Sequence, residues 1–169
     1  SLNKKEKVFS EDSQYFIEDV RKKIIEDLTY DRVYKQGFNI NTPIDLELQK
    51  IATNSLREGL IKYDKRKGWR GPLLNKKNIK NWKKSLDKYK LEKSIGWELA
   101  IIRRIDKFEA VIETQDETFG TISYENINWT RKDLNKLFKI GDIIYVKKIE
   151  DGNYSLQQLP KVNGGIVVM

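Results

Sequence analysis

The chain has 169 residues, a formal net charge of +8, and neither cysteine nor histidine. Without cysteine there are no disulfides and no structural zinc site of the usual kind. Without histidine, the commonest general base and the Ser–His pair of many hydrolases are absent. An apolar share of 38% is sufficient for a packed core. We therefore expect one folded domain, with or without pieces of another, and no metal or other cofactor.

The positive charge is concentrated in one part of the sequence. Between residues 62 and 93, thirteen Lys or Arg residues stand against three acids, whereas nine basic residues stand against eleven acids between 97 and 160. A run of lysines in the first region is a candidate patch for an anionic partner. The alternative, a helix face that is simply solvated, is the commoner use of such a run and stays open. The candidate patch consists of Lys76, Lys77, Lys80, Lys83, Lys84 and Lys88.

The first half of the sequence predicts three amphipathic helices and a short strand. Apolar residues recur every four positions over 14–28, which is the spacing of one helix face. Alternation of apolar and polar residues predicts a strand over 36–41. Thr42 is suited to cap a second helix with Pro43 at its first position. The lysine-rich residues 76–93 carry apolar side chains at helical spacing and predict a third, basic helix.

From residue 97 onward the apolar residues recur with a period of two. The pattern predicts five strands, with a short helix over 131–138, capped by Thr130, between the third and the fourth. This is the layout of an OB barrel, and the alternative is an SH3-like barrel, which normally lacks that helix. The fold class is therefore α+β, mainly β, and a further strand is expected at 163–169. The five strands are expected at 97–105, 108–114, 119–124, 142–149 and 154–159.

Exposed aromatic residues are candidates for stacking against sugars or bases. We retain Trp97 and Trp129 as candidate contacts on the barrel face, and Trp82 has the same chemistry. Core or interface packing is the more frequent use of each, because Trp82 lies on a predicted helix stripe and Trp97 on an alternating strand. The acids at 113–117 fall around a predicted turn, where we expect solvated side chains rather than acid–base catalysis.

The chain also contains an ordered series of longer motifs. The stretch Tyr-Asp-Lys-Arg-Lys-Gly-Trp-Arg-Gly-Pro at 63–72 is similar to a Tyr-Asp-Arg-Arg-His-Gly-Trp-Arg-Gly-Pro signature, with Lys67 where His is common. Residues 33–45 are similar to a Leu-Tyr-x-Gly-Gly-Leu-x-Val-x-Thr-Thr-Leu-Asp segment, with Pro43 where Thr is usual. In this order the motifs resemble class A penicillin-binding proteins of the 1A type, which are bifunctional murein synthases. The other similar segments are 13–21, 48–52, 56–60, 141–146 and 159–165.

The resemblance implies a division of the chain into three parts. Residues 1–69 would be a linker and the N-terminal edge of a transpeptidase domain, containing helix, strand and helix. Residues 70–161 would be the OB-like domain, with the basic helical insert at 76–93. Residues 162–169 would be the first strand of the transpeptidase domain, which the chain would contain only in part. The flanking helices and short strands would therefore come from the edge of that domain.

The resemblance also implies what this segment does. The transpeptidase of such proteins uses a Ser-x-x-Lys nucleophile with companion Ser-x-Asn and Lys-Thr-Gly motifs. The tetrads at 1–4 and 85–88 have neither companion, so we expect no catalytic residue here. We expect a non-catalytic interaction or spacer module of a peptidoglycan synthase that is periplasmic and anchored in the inner membrane. Its expected partners are the rest of the synthase and peptidoglycan or a lipoprotein activator.

The alternative function is that of a free-standing OB-fold protein that binds nucleic acid. Such a protein would carry a basic groove on the barrel, with aromatic side chains on its central strands. The region of the predicted barrel is instead mildly acidic, and the positive charge lies in the insert that precedes it. Nucleic acid is therefore the less favoured partner.

Overall fold

The computed structural model describes residues 14–36, 38–75, 82–83, 86–89, 91, 95–150 and 152–168. The chain divides into two compact units. The flanking unit consists of Ser1–Leu60 and Asn163–Met169, and the barrel unit consists of Ile61–Val162. The barrel unit is thus inserted in sequence between two pieces of the flanking unit.

The described part of the flanking unit is mainly helical. It contains α1 (Gln14–Leu28), α2 (Tyr30–Gln36) and the larger part of α3 (Leu46–Arg66), within which the boundary after Leu60 falls. The apolar spacing predicted α1 correctly.

The predicted start of α3 was wrong. Helix α3 begins at Leu46, because the Asp45 carboxylate caps it by accepting hydrogen bonds from the amides of Glu47 (2.9 Å) and Leu48 (3.0 Å). Aspartate at this position satisfies two of the amides that a helix N-terminus leaves without partners. Thr42, the predicted cap, therefore lies outside the helix, in the irregular segment that precedes it.

The two strands predicted for this unit do not form in the part of it that the structure describes. Helix α2 reaches Gln36, and residues 38–45 and 162–168 follow irregular paths. A strand requires a neighbour for its backbone hydrogen bonds. The backbone of the C-terminal segment is instead bonded to a side chain. Gln49 Nε2 donates to the Ile166 carbonyl oxygen (2.8 Å), and Gln49 Oε1 accepts from the Val168 amide (2.9 Å).

The barrel unit contains the five predicted strands, each confirmed to within a few residues at its ends. A sixth strand of two residues was missed. The strands are β1 (Leu74–Asn75), β2 (Glu98–Ile105), β3 (Glu109–Thr114), β4 (Phe119–Ser123), β5 (Asp142–Glu150) and β6 (Asn153–Gln157). The neighbour order is β1-β5-β2-β3-β4-β6, and pairing of β5 with β6 closes β2 to β6 into a five-stranded barrel. The β4–β6 pair is parallel and the other pairs are antiparallel.

The connection from β4 to β5 contains helix, as an OB barrel requires, but a shorter one than predicted. A 3-10 helix spans Tyr124–Thr130, and α4 is confined to Leu134–Leu137 with Asp133 as its N-cap residue. Arg131 has a φ of 56°, in the left-handed region, and this conformation separates the two helices. The predicted helix over 131–138, capped by Thr130, was therefore too long at its start.

The first halves of the barrel strands β2 and β5 are buried on both faces. Their inward side chains join the barrel core, and their outward side chains join a second apolar cluster on the outside of the barrel. Residues of the lysine-rich insert cover this outer cluster. The buried members of the outer cluster are Trp82, Leu86, Leu99, Ile101, Ile143 and Tyr145.

The predicted basic helix over 76–93 lies mostly outside the described residues. In the described part of this range, Leu86 is irregular and Asp87–Tyr89 forms a 3-10 helix. A continuous α-helix through 86–89, as predicted, is therefore wrong. Trp82 and Leu86, four residues apart, are both buried, so these two members of the predicted apolar stripe are confirmed even though the predicted conformation is not.

Gly120 on β4 is a tightly constrained position of the barrel. A Cβ there would lie 2.4 and 2.7 Å from two ring carbons of buried Tyr154 and 2.8 Å from the Gly152 carbonyl oxygen. We expect Gly120→Ala to lower the free energy of unfolding by about 1–3 kcal/mol, the usual cost of overpacking. Urea titration followed by tryptophan fluorescence measures this, because all four tryptophans lie in the barrel unit.

The matched control for Gly120 is Gly59, in the middle of α3, where a Cβ would meet no atom within 4 Å. The Gly59→Ala substitution is expected to be neutral or to stabilise its helix by up to about 1 kcal/mol. Because Gly59 lies in the flanking unit, which contains no tryptophan, its effect is followed by the helical signal in circular dichroism. A barrel that unfolds at the same urea concentration with and without Gly120→Ala would contradict the packing observed at β4.

Candidate functional site

The 63–72 signature builds a buried polar network that we call the clasp, formed by Asp64, Arg70 and Gln158 with the backbone of Lys161. The Asp64 side chain is about 5% exposed. Its two oxygens lie 2.7 and 2.8 Å from Arg70 Nη1. Gln158 Nε2 donates to Asp64 Oδ2 (2.8 Å), and the Lys161 amide donates to Oδ1 (3.2 Å). The clasp therefore joins the segment before the barrel to the segment after its last strand.

Backbone groups of the signature complete the clasp. The Arg70 amide donates to Gln158 Oε1 (2.9 Å), and Gln158 Nε2 also donates to the Gly68 carbonyl oxygen (3.1 Å). Gly68 and Gly71 have φ values of +89° and +104°. Glycine adopts this conformation with no steric cost. The two glycines thus allow the chain to turn so that Arg70 faces Asp64.

The charge state of Asp64 is determined by the clasp. Burial by itself raises the pKa of the carboxyl group, but the hydrogen bonds from Gln158, Arg70 and Lys161 outweigh burial, so the pKa of Asp64 is lowered from its ordinary value. Asp64 is therefore ionised at neutral pH and pairs with the Arg70 guanidinium. A buried carboxylate with this many donors is a structural element rather than a proton donor.

Trp129, one of the predicted barrel-face contacts, lies beside the clasp in an aromatic group. Its ring meets Trp69 edge to face at 5.9 Å between centroids, and Trp69 meets Phe138 in the same way at 6.5 Å. Lys65 Nζ lies 5.2 Å from the centroid of Trp129. The pKa of Lys65 is lowered, chiefly by burial and secondly by the nearby positive charge of Lys147. Trp69 and Trp129 both pack against the barrel core.

Trp97, the other predicted contact, lies in the outer cluster and lines a groove of about 150 Å³. Its ring centroid lies 6.3 Å from that of Tyr145, at an interplanar angle of 45°. The two candidate tryptophans therefore pack against different clusters of the barrel unit. The groove is lined by Tyr89, Leu91, Trp97, Glu98, Leu99, Gln115 and Tyr145.

The candidate lysine patch is described at two of its six positions. Lys83 Nζ forms an ion pair with Glu117 (2.8 Å), which lowers the pKa of that carboxyl group through the hydrogen bond and the charge of Lys83. Lys88 Nζ lies 4.9 Å from the centroid of the Tyr89 ring. Both described lysines thus have partners within the barrel unit. The remaining four, Lys76, Lys77, Lys80 and Lys84, lie outside the described residues.

The acids at 113–117 divide into two environments. Asp116 and Glu117 are exposed as predicted, whereas Glu113 is only 8% exposed, so the prediction of a solvated side chain was wrong for it. Glu113 Oε2 accepts a hydrogen bond from Arg103 Nε (2.6 Å), and Oε1 lies 3.5 Å from Trp82 Nε1. Its partners come from β2 and from the insert, at separations that sequence spacing does not reveal.

Neither a metal site nor a membrane span is found in the described ranges. Because the sequence has no cysteine or histidine, carboxylates would have to bind the metal. No three carboxylates converge in these ranges in a way that could hold an ion. Among the same residues, no helix has both the length and the apolar character needed to cross a bilayer.

Comparison with known proteins agrees with this architecture. The penicillin-binding protein OB-like domain family matches residues 69–162, more than half of the chain. The chain therefore belongs to the penicillin-binding proteins and contains their OB-like domain.

Within that family, the chain is similar to penicillin-binding protein 1A of several bacteria. It is 34% identical to the protein of Rickettsia prowazekii over 173 residues, which covers 99% of this chain and 22% of the relative. It is 29% identical to the Pseudomonas aeruginosa protein, over 79% of this chain and 18% of the relative. The crystal structure of penicillin-binding protein 1A from Haemophilus influenzae superposes with a TM-score of 0.61 at 28% identity, over 86% of this chain and 22% of that one. The chain thus spans about a fifth of the length of these proteins.

Proposed function

We propose that this chain is a non-catalytic segment of a peptidoglycan synthase, in which the barrel unit is an inserted interaction or spacer module. The observation that carries the proposal is the clasp. Asp64 and Arg70 precede the barrel strands, and Gln158 and Lys161 follow them, yet these residues share one buried network. A domain inserted into another needs its two chain connections close together, and the clasp holds them so.

The flanking unit supports the same proposal. Several of its apolar side chains are exposed, including Leu48 (50%) and Ile51 (62%) on α3. Contiguous exposed apolar surface indicates a binding surface for another protein part. We propose that the remainder of a transpeptidase domain covers these side chains in the parent synthase. Other exposed apolar side chains of this unit are Phe38, Ile40, Leu46, Ile166 and Val167.

The parent would polymerise glycan and cross-link peptides, which are the activities that resemblance to class A penicillin-binding proteins implies. In that setting the module is periplasmic and the parent is anchored in the inner membrane. The partners of the barrel unit would be peptidoglycan or a lipoprotein activator. The candidate contacts remain the lysine patch and the surfaces around Trp97 and Trp129.

The nucleic-acid alternative has little support from the barrel unit. The family match does not favour it. The two described lysines of the patch are engaged by Glu117 and by the Tyr89 ring rather than forming an open groove. An open basic groove is what binding to the phosphate backbone requires.

Two measurements on the 169-residue chain test the proposal. Fluorescent penicillin, with a full-length penicillin-binding protein 1A as positive control, is expected to leave the chain unlabelled because neither Ser-x-x-Lys tetrad has the companion motifs of a transpeptidase. Co-sedimentation with purified peptidoglycan sacculi at physiological salt, with a single-stranded oligonucleotide as competitor, tests the partner. Retention that the oligonucleotide does not disturb supports contact with the wall, and absence of retention supports a spacer. Covalent labelling, or preferential binding of the oligonucleotide, would overturn the proposal.

A further inference from the structure

The Lys65 ammonium group, within the 63–72 signature, takes no part in the clasp. Arg70 pairs with Asp64, whereas Lys65 Nζ lies 5.2 Å from the centroid of the Trp129 ring. Lys65 is half-buried and forms no ion pair with a carboxylate of the described residues. Burial of an ammonium group without a counter-ion is unfavourable, so a negative charge brought to Lys65 would be stabilising.

A second ammonium group, that of Lys147, lies close to Lys65. Lys147 follows Tyr145 by two residues on β5, so both side chains lie on the outer face of that strand. Lys147 is exposed and, within the described ranges, also has no carboxylate paired with it. The pKa of Lys65 is lowered by burial and then by the positive charge of Lys147, and no carboxylate opposes these two effects. The two positive charges are therefore not neutralised by the described part of the chain.

The aromatic side chains beside Lys65 add hydrogen-bond donors and no acceptors. The indole N–H groups of Trp69 and Trp129 are buried and have no hydrogen-bond partner among the described residues. An indole nitrogen and an ammonium group can only donate. A ligand that suits these surroundings therefore accepts hydrogen bonds and carries negative charge. A neutral sugar would supply acceptors but would leave both ammonium groups without a counter-ion.

Two neighbouring ammonium groups match a doubly charged anion better than a carboxylate, which carries a single charge. A phosphate monoester carries a charge of about −1.5 to −2 at neutral pH. Lysine binds phosphate as a point charge, through short hydrogen bonds that the charges strengthen.

We propose that Lys65 and Lys147 form a binding site for a phosphate group, in which the Trp129 ring holds the Lys65 side chain in place. The phosphate is carried either by a free phosphate compound or by the headgroup of a phospholipid. The inference concerns the barrel unit alone and does not depend on the proposed cell-wall role. Its failure would therefore leave that role untouched.

The test uses the ¹⁵N-labelled 169-residue chain, whose four tryptophans yield four indole N–H signals in an NMR spectrum. The Trp129→Phe variant assigns the Trp129 signal. Titration with glycerol 3-phosphate at pH about 7.5, where the monoester is doubly charged, is expected to shift that signal at constant ionic strength. Acetate at equal concentration is expected to shift it far less.

Vesicles of phosphatidylcholine, with and without phosphatidic acid, distinguish the two sources of phosphate. Co-sedimentation of the chain with the vesicles that contain phosphatidic acid supports a headgroup as the ligand. A shift of the Trp129 signal by glycerol 3-phosphate, without binding to those vesicles, supports a free phosphate compound.

Charge-removing variants complete the test. Lys65→Gln and Lys147→Gln are each expected to weaken phosphate binding about tenfold, the usual worth of a hydrogen bond to a charged group. Because Lys147 is exposed, its substitution leaves the packing on Trp129 intact. The matched control is Lys107→Gln, which removes the same charge from a lysine that lies 5.3 Å from the centroid of the Phe108 ring, and it is expected to leave the affinity unchanged.

Four results would overturn the proposal. They are an equal shift with acetate, unchanged affinity in Lys147→Gln, the same loss of affinity in Lys107→Gln as in the two site variants, and binding of neither glycerol 3-phosphate nor the vesicles that contain phosphatidic acid.

Discussion

Replacing Asp64 with alanine is expected to lower the free energy of unfolding of the barrel unit by about 2–4 kcal/mol, which is less than the effect of breaking a fully buried ion pair because the Arg70 side chain is 29% exposed. The reason is that Arg70, Gln158 and the Lys161 amide would all lose their common acceptor. Leaving a buried donor without an acceptor costs more free energy than its hydrogen bond contributed on balance to the stability of the fold. Urea titration monitored by tryptophan fluorescence provides the measurement.

The matched control for Asp64 is Asp106, whose carboxylate pairs with Arg104 (2.9 Å) on the surface. Both partners of that pair are well exposed, so Asp106→Ala is expected to change stability by less than about 1 kcal/mol. Equal effects of the two substitutions would mean that the clasp contributes no more than a surface ion pair, and would contradict the role assigned to it.

The clasp also predicts how stability depends on pH. Because the pKa of Asp64 is lowered in the folded state, its contribution is present above the pKa of the unfolded chain and is lost as the pH falls through the folded value. The barrel should therefore lose stability on acidification below the ordinary carboxyl range. Asp64→Asn should show a shallower loss over the same interval, in parallel urea titrations at several pH values.

Replacing Trp82 with alanine is expected to destabilise the barrel unit by about 3–5 kcal/mol, as removal of a fully buried aromatic side chain does. Trp82 is 1% exposed and packs in the outer cluster with Leu86, Leu99 and Ile101. Its loss would open a cavity over the outer faces of β2 and β5. The same urea titration measures the effect, with one fewer tryptophan contributing to the signal.

The control for Trp82 is its neighbour Lys83. The ion pair of Lys83 with Glu117 is exposed on the Glu117 side, so Lys83→Ala is expected to cost less than about 1 kcal/mol. If Trp82→Ala costs as little as Lys83→Ala, the insert does not cover the barrel as observed. The expected contrast would instead show that the apolar side chain of Trp82 contributes far more to the fold than the ion pair of its neighbour.

The strands of the barrel were predictable because their signal is local. A period of two, interrupted by turn residues, is contained within each strand, and it located all five barrel strands. The pattern could not reveal β1, which has only two residues and depends on pairing with β5. The alternation over 36–41 predicted a strand where α2 and an irregular segment are found, because alternation in so short a segment does not supply a partner strand.

The candidate site was less predictable because its contacts are distant in sequence. The 63–72 motif was recognised as a signature, but its role depends on Gln158, which lies 94 residues after Asp64. Glu113 was placed in a solvated turn because its partners, Arg103 and Trp82, are brought to it by the fold. Trp97 and Trp129 were both identified as candidates, but only the structure assigns them to different clusters.

The central proposal is that the barrel is an inserted, non-catalytic module whose two chain connections lie close together. It is tested most directly by replacing residues 65–160 with a short Gly/Ser linker in a full-length synthase that contains this segment, and then measuring acylation by fluorescent penicillin. A short linker suffices because the Lys161 amide lies 3.2 Å from Asp64 Oδ1. We expect acylation to persist, with a variant lacking the nucleophilic serine as the blank. Loss of acylation in a variant that remains folded by circular dichroism would contradict the account.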